Sequence, residues 1–418
     1  MSENNNQIVT FGCRLNIYES QIIKDNVEKS GLKDCIVVNT CAVTNEAEKQ
    51  ALQAIRKLKR EHPESRIIVT GCGAQLHPEL FASMPEVERI LGNQEKMQAS
   101  SYNFNIESEK VVVNDIMQVT EGASHLVHHF DKNTRAFIEI QNGCNHRCTF
   151  CIIPFARGNN RSSTIAQIID QVKILVAKGY KEVIFTGVDI TDYGKDLPGT
   201  PNLASLIKRL LTLVPDLPRL RLSSIDVAEV DEELFELMAN EKRLMPHFHI
   251  SMQAGDNMIL KRMKRRHNRE KIIEFCHNLR ALRPEVSFGA DIIAGFPTET
   301  EEMFLNTYNL ISEAQIQFTH VFPYSPRVGT PAAKMPQVDN ATKKARAKLL
   351  REAGALELNK FLNKMVGNHS NILLESKDFG HSENFIPIKF NEPFDTNNQI
   401  ILSEFVSVAD NKIIGRRI

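Results

Sequence analysis

The sequence lacks several features that define whole classes of protein. It has no excess of either charge, because Lys plus Arg and Asp plus Glu both number 51, and its eight cysteines are too few for a disulfide scaffold in 418 residues. No apolar run approaches the about 18 residues of a membrane helix. The first residues, MSENNNQIVTFG, have neither the basic nor the apolar region of a signal peptide. We therefore expect a cytoplasmic protein without membrane attachment, in which cysteine clusters are metal-binding or catalytic and any nucleic-acid site is a local patch.

Residues 1–106 are predicted to form an N-terminal α/β domain. Short apolar strands alternate with helices in the βαβ pattern of a parallel sheet. The predicted strands are residues 8–11, 35–40 and 66–70, and the predicted helices are residues 17–30 and 46–61.

A cysteine follows each of these three strands, at Cys13, Cys41 and Cys72. The carboxyl ends of parallel strands line one edge of a sheet, so the topology brings the three thiols together. This regular placement favours a three-thiolate cluster site over the alternative of three small buried residues at strand ends. Cys35, inside a strand, and Cys276, on the apolar face of a helix, are expected in the core.

A second set of cysteines lies in one loop, with Cys144, Cys148 and Cys151 at Cys-x3-Cys-x2-Cys spacing. Thiolates select zinc or iron–sulfur clusters, and iron–sulfur cubanes normally take four cysteines. Three cysteines with no nearby fourth leave one iron open, and this spacing resembles that of the radical S-adenosylmethionine (SAM) enzymes. The alternatives are a zinc knuckle with His146 as fourth ligand and buried cysteines without metal.

Residues 136–364 repeat a strand–helix unit six times, which predicts an open, partial (β/α)6 barrel with a lateral mouth wide enough for a macromolecule. By the barrel rule the site lies in the loops after the strands. The residues expected to contact SAM are Phe150 in the cysteine loop and Gly187, Ser223, Ser224 and Gln253 after the strands. The predicted strands are residues 136–141, 182–186, 219–223, 247–251, 287–294 and 320–323.

Residues 107–135 are predicted to be a linker with one possible strand at 111–113 and a solvated pair, His128 and His129. Residues 365–418 follow a long helix (342–364) and contain short alternating runs at 372–374, 385–390, 399–405 and 412–415. These runs predict a small β-barrel, either an OB-like domain that binds nucleic acid or a structural cap.

The densest positive run is residues 261–267, KRMKRRH. It is either an RNA phosphate contact or a solvated surface turn. Arg157, Arg161 and Arg327, near the proposed site loops, are further candidates for phosphate contact.

Several stretches together resemble the radical SAM methylthiotransferases over nearly the whole chain. They are residues 10–16 (TFGCRLN), 39–44 (NTCAVT), 70–75 (TGCGAQ), 143–154 with 156–158 (ARG), 221–224 (RLSS), 291–297 (DIIAGFP) and 324–330 (YSPRVGT). The resemblance implies an N-terminal methylthiotransferase domain, a radical SAM domain and a C-terminal TRAM domain, in this order. It also implies two 4Fe–4S clusters, on Cys13, Cys41 and Cys72 and on Cys144, Cys148 and Cys151, with SAM at the second of these sets.

Residues 11–16 look most like the branch that adds a methylthio group to C-2 of N6-threonylcarbamoyladenosine at position 37 of tRNA. The expected partners are the tRNA anticodon loop and an electron donor such as flavodoxin or ferredoxin. The alternatives are the same reaction on N6-isopentenyladenosine or on a ribosomal-protein aspartate, and an iron–sulfur protein that binds RNA or senses redox state without turnover. Thr298, where glycine is common, and residues 251–254 (SMQA) depart from the family pattern.

Overall fold

The computed structural model describes residues 6–104, 109–120, 127 and 134–418. The N-terminal domain is a parallel sheet in the simple strand order β1-β2-β3-β4-β5. Its strands are β1 (Gln7–Thr10), β2 (Cys35–Thr40), β3 (Arg66–Gly71), β4 (Arg89–Leu91) and β5 (Val111–Val112). Its helices are α1 (Arg14–Ser30), α2 (Asn45–Glu61), α3 (Cys72–Leu76) and α4 (Pro78–Ala82).

This domain confirms the predicted βαβ pattern and corrects its limits. Helix α1 begins three residues earlier than predicted, because the Cys13 carbonyl already accepts the bond from Ile17 N–H at 3.2 Å. The strand predicted in the linker is present, but it pairs with β4 as the edge of this sheet. The sheet therefore extends past the boundary predicted at residue 106. The pair His128 and His129 lies outside the described residues.

The central domain contains six parallel barrel strands, as predicted, but the third is divided at Ser223 into β10 and β11. The sheet is consequently in two parts, β10-β9-β6 and β11-β12-β13-β14. The strands are β6 (Arg135–Glu139), β7 (Gln141–Asn142), β8 (Arg161–Ser162), β9 (Glu182–Thr186), β10 (Arg219–Leu222), β11 (Ser224–Ile225), β12 (His247–Gln253), β13 (Ser287–Ala294) and β14 (Phe318–Pro323). Strands β7 and β8 form a separate antiparallel pair.

The helices of this domain cover the outside of the barrel and bury a continuous apolar core between themselves and the strands. They are α5 (Ile153–Arg157), α6 (Ile165–Ala177), α7 (Leu203–Leu213), α8 (Glu232–Asn240), α9 (Asn257–Arg262), α10 (Arg269–Leu282), α11 (Glu301–Glu313) and α12 (Asn340–Met365). Short 3-10 helices lie at Glu95–Met97, Ala99–Tyr102, Ile116–Gln118, Ile190–Asp192, Val227–Glu229 and Pro331–Lys334.

The barrel is open on one side, since β6 and β14 do not pair with each other within the described residues. Helix α1 of the N-terminal domain packs against β6 at this opening, and Tyr18 and Ile22 join the apolar core of the barrel. The N-terminal cysteines are thereby placed beside the mouth of the barrel.

The C-terminal domain is a closed five-stranded barrel in the order β15-β16-β17-β19-β18, which confirms the predicted small β-barrel. Its strands are β15 (His369–Ser376), β16 (Phe379–Ser382), β17 (Pro387–Phe390), β18 (Ile400–Ala409) and β19 (Lys412–Arg417). Strand β16 has no counterpart among the predicted runs, because Gly380, His381 and Ser382 carry no apolar pattern.

This small barrel covers the amino ends of the central strands. The Phe385 ring stacks on His247, the first residue of β12, with ring centroids 4.9 Å apart. The Arg221 Nη1 donates to the Glu383 carbonyl at 3.1 Å, and its Nε and Nη2 bind Glu182 at 3.0 Å each. The central barrel is thus closed at its amino end and accessible at its carboxyl end. No helix of the described residues is both long and apolar enough to span a membrane.

Candidate active site

The N-terminal cysteines lie where the three strands end. Cys13 is the N-cap of α1, Cys41 follows β2, and Cys72 is the first residue of α3. Gly12 is required here, because a Cβ atom at this position would lie 2.8 Å from Cys41 Cβ and 3.0 Å from its Sγ. Burial raises the pKa of the Cys41 thiol to about 11, and the neighbouring Cys72 and Cys13 thiols contribute to the rise. The sheet therefore brings the three thiols together, as predicted.

A buried arginine of the central domain faces these thiols. Arg157, in α5, donates from Nη1 to Glu19 Oε1 at 2.9 Å and from Nη2 to Asn16 Oδ1 at 2.7 Å. Burial alone would lower the pKa of Arg157, but Cys72, Glu19 and Cys13 hold it well above the usual range. One guanidinium thus joins the two domains and supplies positive charge to the N-terminal cysteines.

The other three cysteines lie in the loop between β7 and α5. Gly143 precedes them with φ +71°, and a Cβ atom there would lie 1.9 Å from the Asn159 carbonyl oxygen, so only glycine permits this turn. Burial raises the pKa of Cys144 to about 12 and that of Cys151 to about 11. Arg265 Nη1 lies 3.6 Å from Cys148 Sγ, so a guanidinium lies directly beside this cysteine.

The ring of His146 binds two carboxylates, and one of its nitrogens also lies within 4.8 Å of Cys144 Sγ. Its Nε2 lies 3.2 Å from Asp189 Oδ2 and 3.5 Å from Glu229 Oε1. Hydrogen bonds to Asp189 and Glu229 raise the pKa of His146 to about 9. A protonated imidazole is not a metal ligand, so the pairing of the ring with Asp189 and Glu229, rather than its distance from the thiols, disfavours the zinc knuckle.

A single cavity of about 700 Å³ connects the two sets of cysteines. Cys13 and Cys41 line it on one side and Cys151 on the other. The five residues expected to contact SAM all line the same cavity, and they are Phe150, Gly187, Ser223, Ser224 and Gln253.

The polar groups of this cavity fit a bound cofactor. Ser223 Oγ is buried and has no hydrogen-bond partner within the described part of the chain, although a buried hydroxyl normally has one. Ser224 Oγ and Ser251 Oγ share a hydrogen bond of 2.9 Å. Gln253 is held at φ +65°, at an irregularity in the β12–β13 register, so its backbone adopts a conformation that is unusual for a non-glycine residue. The donor set and the unpaired hydroxyl fit SAM beside an iron–sulfur cluster.

Comparison with known proteins decides the family. The Radical SAM superfamily matches residues 138–311, and Uncharacterized protein family UPF0004 matches residues 5–92. The threonylcarbamoyladenosine tRNA methylthiotransferase MtaB of Rickettsia prowazekii is 59% identical over 404 residues, which cover 97% of this chain and 95% of that protein. The chain belongs to the radical SAM methylthiotransferase family.

More distant members of the methylthiotransferase family also match along most of the chain. MtaB of Aquifex aeolicus is 36% identical, with coverage of 91% of this chain and 95% of that one. The tRNA-2-methylthio-N(6)-dimethylallyladenosine synthase of Carboxydothermus hydrogenoformans is 34% identical, with 90% and 89%. Family membership implies SAM and 4Fe–4S clusters as the cofactors.

A solved structure supports the fold alone. The radical SAM methyltransferase TsrM of Kitasatospora setae, with tryptophan and a SAM analogue bound, aligns with a TM-score of 0.56 at 16% identity. The alignment covers 78% of this chain and 74% of that one.

The cavity also contains charged residues that the sequence analysis did not select as site residues. They are Arg14 on α1, His249 on β12, Asp291 on β13 and His320 on β14. Burial, with the nearby Arg135 and Arg221, lowers the pKa of Arg14 to about 10. The sequence does contain a sign of the three strand residues, because a polar side chain within an otherwise apolar barrel strand indicates a position that faces the lumen.

The basic run is only partly a free surface. Arg265 and Arg266 both bind Asp226 Oδ2, at 3.0 and 2.9 Å, and Arg262 donates to Thr298 Oγ1 at 2.8 Å. Lys261 and Lys264 are exposed and line a groove of about 780 Å³ beside the cysteine loop.

Three further arginines are too buried to contact phosphate, which corrects that prediction. Arg157, Arg161 and Arg327 are 2%, 6% and 4% exposed. Each binds protein groups instead, and Arg327 Nη1, for example, lies 2.9 Å from Glu48 Oε2. Cys35 and Cys276 lie in the apolar core with no exposed surface, as predicted.

Proposed function

We propose that this protein is a tRNA methylthiotransferase that adds a methylthio group to C-2 of N6-threonylcarbamoyladenosine in the anticodon loop, at position 37. The observation that carries the proposal is the single cavity lined by thiols of both cysteine sets. An enzyme that inserts sulfur into a C–H bond needs a radical generator and a sulfur source that face the same substrate atom. The 59% identity to a protein of this name supports the choice of substrate.

In this proposal each cysteine set holds one 4Fe–4S cluster. Cys144, Cys148 and Cys151 hold the cluster that binds SAM. Cys13, Cys41 and Cys72 hold the second cluster. When bound, these groups supply the one-electron chemistry that breaks an inert aromatic C–H bond and the sulfur that replaces its hydrogen.

Other residues position these groups. Ser223, Ser224 and Gln253 provide polar contacts for the ribose and amino-acid parts of SAM. The Phe150 ring packs edge-on against Phe296, with centroids 6.4 Å apart, and holds the cysteine loop against the barrel wall. Arg265 on one side and Arg157 on the other stabilise the negative charge of the thiolates.

Binding of the tRNA combines charge with access to an unpaired base. Lys261 and Lys264 beside the cysteine loop are placed to contact phosphates, which dominate nucleic-acid affinity. The small C-terminal barrel has an architecture that commonly binds nucleic acid. The substrate base lies in a single-stranded loop, the usual target of specific RNA recognition. The reaction also requires an electron donor such as flavodoxin or ferredoxin, and we place it in the cytoplasm.

The alternative substrates, and a protein without catalytic activity, would each require a different kind of cavity. An isopentenyl group is apolar, whereas the wall beside Cys13 carries Arg14, His249 and Asp291. A ribosomal-protein aspartate would need no base pocket. A non-catalytic iron–sulfur protein would not need a cavity that reaches both sets of thiols.

The test is mass spectrometry of tRNA nucleosides from cells with and without the gene. We expect the methylthio derivative of N6-threonylcarbamoyladenosine to disappear and the unmodified nucleoside to accumulate. The anaerobically reconstituted protein, with SAM and dithionite, should restore the modification to this tRNA. Loss of the methylthio isopentenyl nucleoside instead, or no 5′-deoxyadenosine from the reconstituted protein, would reject the proposal in favour of one of the alternatives.

A further inference from the structure

The cavity wall contains a positive charge that the protein itself does not pair. Arg14 is half-buried at the start of α1 and enters the open side of the central barrel beside Cys13. Among residues 6–104, 109–120, 127 and 134–418, no group contacts its guanidinium through a hydrogen bond or ion pair, although Glu182 and Asp291 attract it from a greater distance. Buried charges are normally paired, so an unpaired guanidinium in a cavity indicates an anionic ligand.

The carboxylates around Arg14 are already engaged. Asp291 Oδ1 lies 3.1 Å from His249 Nε2 and 3.5 Å from His320 Nδ1. Glu182 accepts two hydrogen bonds of 3.0 Å from Arg221.

The nearby arginines provide no partner for Arg14 either. Arg135 and Arg221 are close enough to repel Arg14. A carboxylate from outside would relieve this repulsion and accept the planar, two-pronged hydrogen bonds that guanidinium groups form.

We propose that Arg14 binds the free carboxylate of the threonylcarbamoyl group and so selects this nucleoside. This inference rests on the proposed function. On adenine, C-2 and C-6 are both bonded to the ring nitrogen N1, and C-6 carries the amino group. A base whose C-2 faces the N-terminal cysteine set therefore has its N6 substituent within reach of Arg14, the neighbour of Cys13. An apolar substituent in this place would leave the guanidinium desolvated and unpaired, which disfavours it.

The methionine part of SAM also has a carboxylate, so the experiment must separate the two sources. Two anticodon stem–loop RNAs are compared, one with N6-threonylcarbamoyladenosine and one with its threonine methyl ester, which has nearly the same shape but no charge. The reconstituted wild type is measured beside Arg14→Gln, Arg14→Lys and the control Arg209→Gln, which changes an exposed arginine on α7. The readouts are RNA affinity, methylthiolation rate, SAM affinity and iron content.

We expect the wild type and Arg209→Gln to prefer the acid over the ester by about 10- to 100-fold in affinity, the range for hydrogen bonds to charged groups. In Arg14→Gln this preference should fall to about twofold or less. Arg14→Lys should retain part of it, because lysine keeps the positive charge but cannot form the two parallel hydrogen bonds of a guanidinium. SAM affinity and iron content should not change.

Three results would overturn the assignment. An unchanged acid-to-ester ratio in Arg14→Gln would show that Arg14 does not bind this carboxylate. A loss of SAM affinity with the ratio preserved would assign Arg14 to the methionine carboxylate. A loss of iron would give it a role in holding the N-terminal cluster. A wild type that binds the acid selectively but modifies neither RNA would reject the proposed function and leave the Arg14 assignment supported.

Discussion

The two cysteine sets arise from the chain in opposite ways. Cys144, Cys148 and Cys151 lie within eight residues of one loop, so their spacing in the sequence alone keeps them close together. Cys13, Cys41 and Cys72 are distributed over 60 residues and meet only because β1, β2 and β3 are adjacent and parallel. The first set needs one correct turn, whereas the second needs a folded sheet. Damage to folding should therefore affect the second set more than the first.

Removal of each set separately should have the largest effect. Replacement of Cys144, Cys148 and Cys151 by Ala should abolish both SAM cleavage and methylthiolation, because no site remains for the radical-forming cluster. Replacement of Cys13, Cys41 and Cys72 by Ala should abolish methylthiolation and leave SAM cleavage. Iron should fall from about eight to about four per chain in each variant, as expected for cubane clusters. If the second variant retains all its iron, the assignment of two clusters is wrong.

A buried contact between the two sets should have a smaller effect. Arg157→Ala removes one of the two buried cations that bind Glu19, since Lys96 Nζ stays 2.7 Å from its Oε2, and removes positive charge beside Cys72 and Cys13. Breaking a buried ion pair costs about 3–5 kcal/mol when the remaining charge has no partner, and the cost here should be lower because Lys96 still binds Glu19. We expect a lower free energy of unfolding and a preferential loss of iron from the N-terminal set.

The matched measurement is a double-mutant cycle with Glu19→Ala. If the two substitutions destabilise the protein additively, Arg157 and Glu19 do not act as a pair. The structure would then give no reason for the N-terminal iron to be lost first.

Two helix caps provide the smallest and most selective change. Thr44 caps α2, three residues after Cys41, and Thr164 caps α6, which belongs to the central domain. Each Thr→Ala substitution should cost about 1 kcal/mol. Only Thr44→Ala should speed the release of iron from the N-terminal set to a chelator. Equal release rates in the two variants would show that this set is insensitive to the stability of its own domain.

The sequence predicted those parts of the fold that depend on a pattern within one short segment of the chain. The first three N-terminal strands are nearly continuous apolar runs, and the six barrel strands recur with a helix between them, so both patterns were visible. The three-residue strand β4 is too short to show such a pattern, and the strand predicted at 111–113 carries no local sign that it pairs with β4. The break at Ser223 also has no local signal, because it depends on the strands on either side.

The site divides in the same way. The six cysteines and the five residues expected to contact SAM were selected from loops and strand ends, and the structure places Cys13, Cys41, Cys151 and those five residues along one cavity. Arg14 was quoted only as part of a family motif, and its position in the cavity depends on how α1 packs against β6. Asp291 and His320 meet through the β13–β14 register, which a single strand does not reveal. The burial of Arg157, Arg161 and Arg327 is likewise a tertiary property, so their charge alone was misleading.

The contact made by Phe385 limits how far this protein can be treated as modular. Its ring lies over Arg221 and Arg135, with distances of 5.0 and 5.2 Å from the guanidinium carbons to the ring centroid, at the amino end of the central barrel. A truncated chain that ended after α12 would expose these arginines, Glu182 and His247 to water at the base of the lumen. The C-terminal domain is therefore a structural part of the catalytic domain as well as a separate fold, and the shortest autonomous catalytic unit includes it.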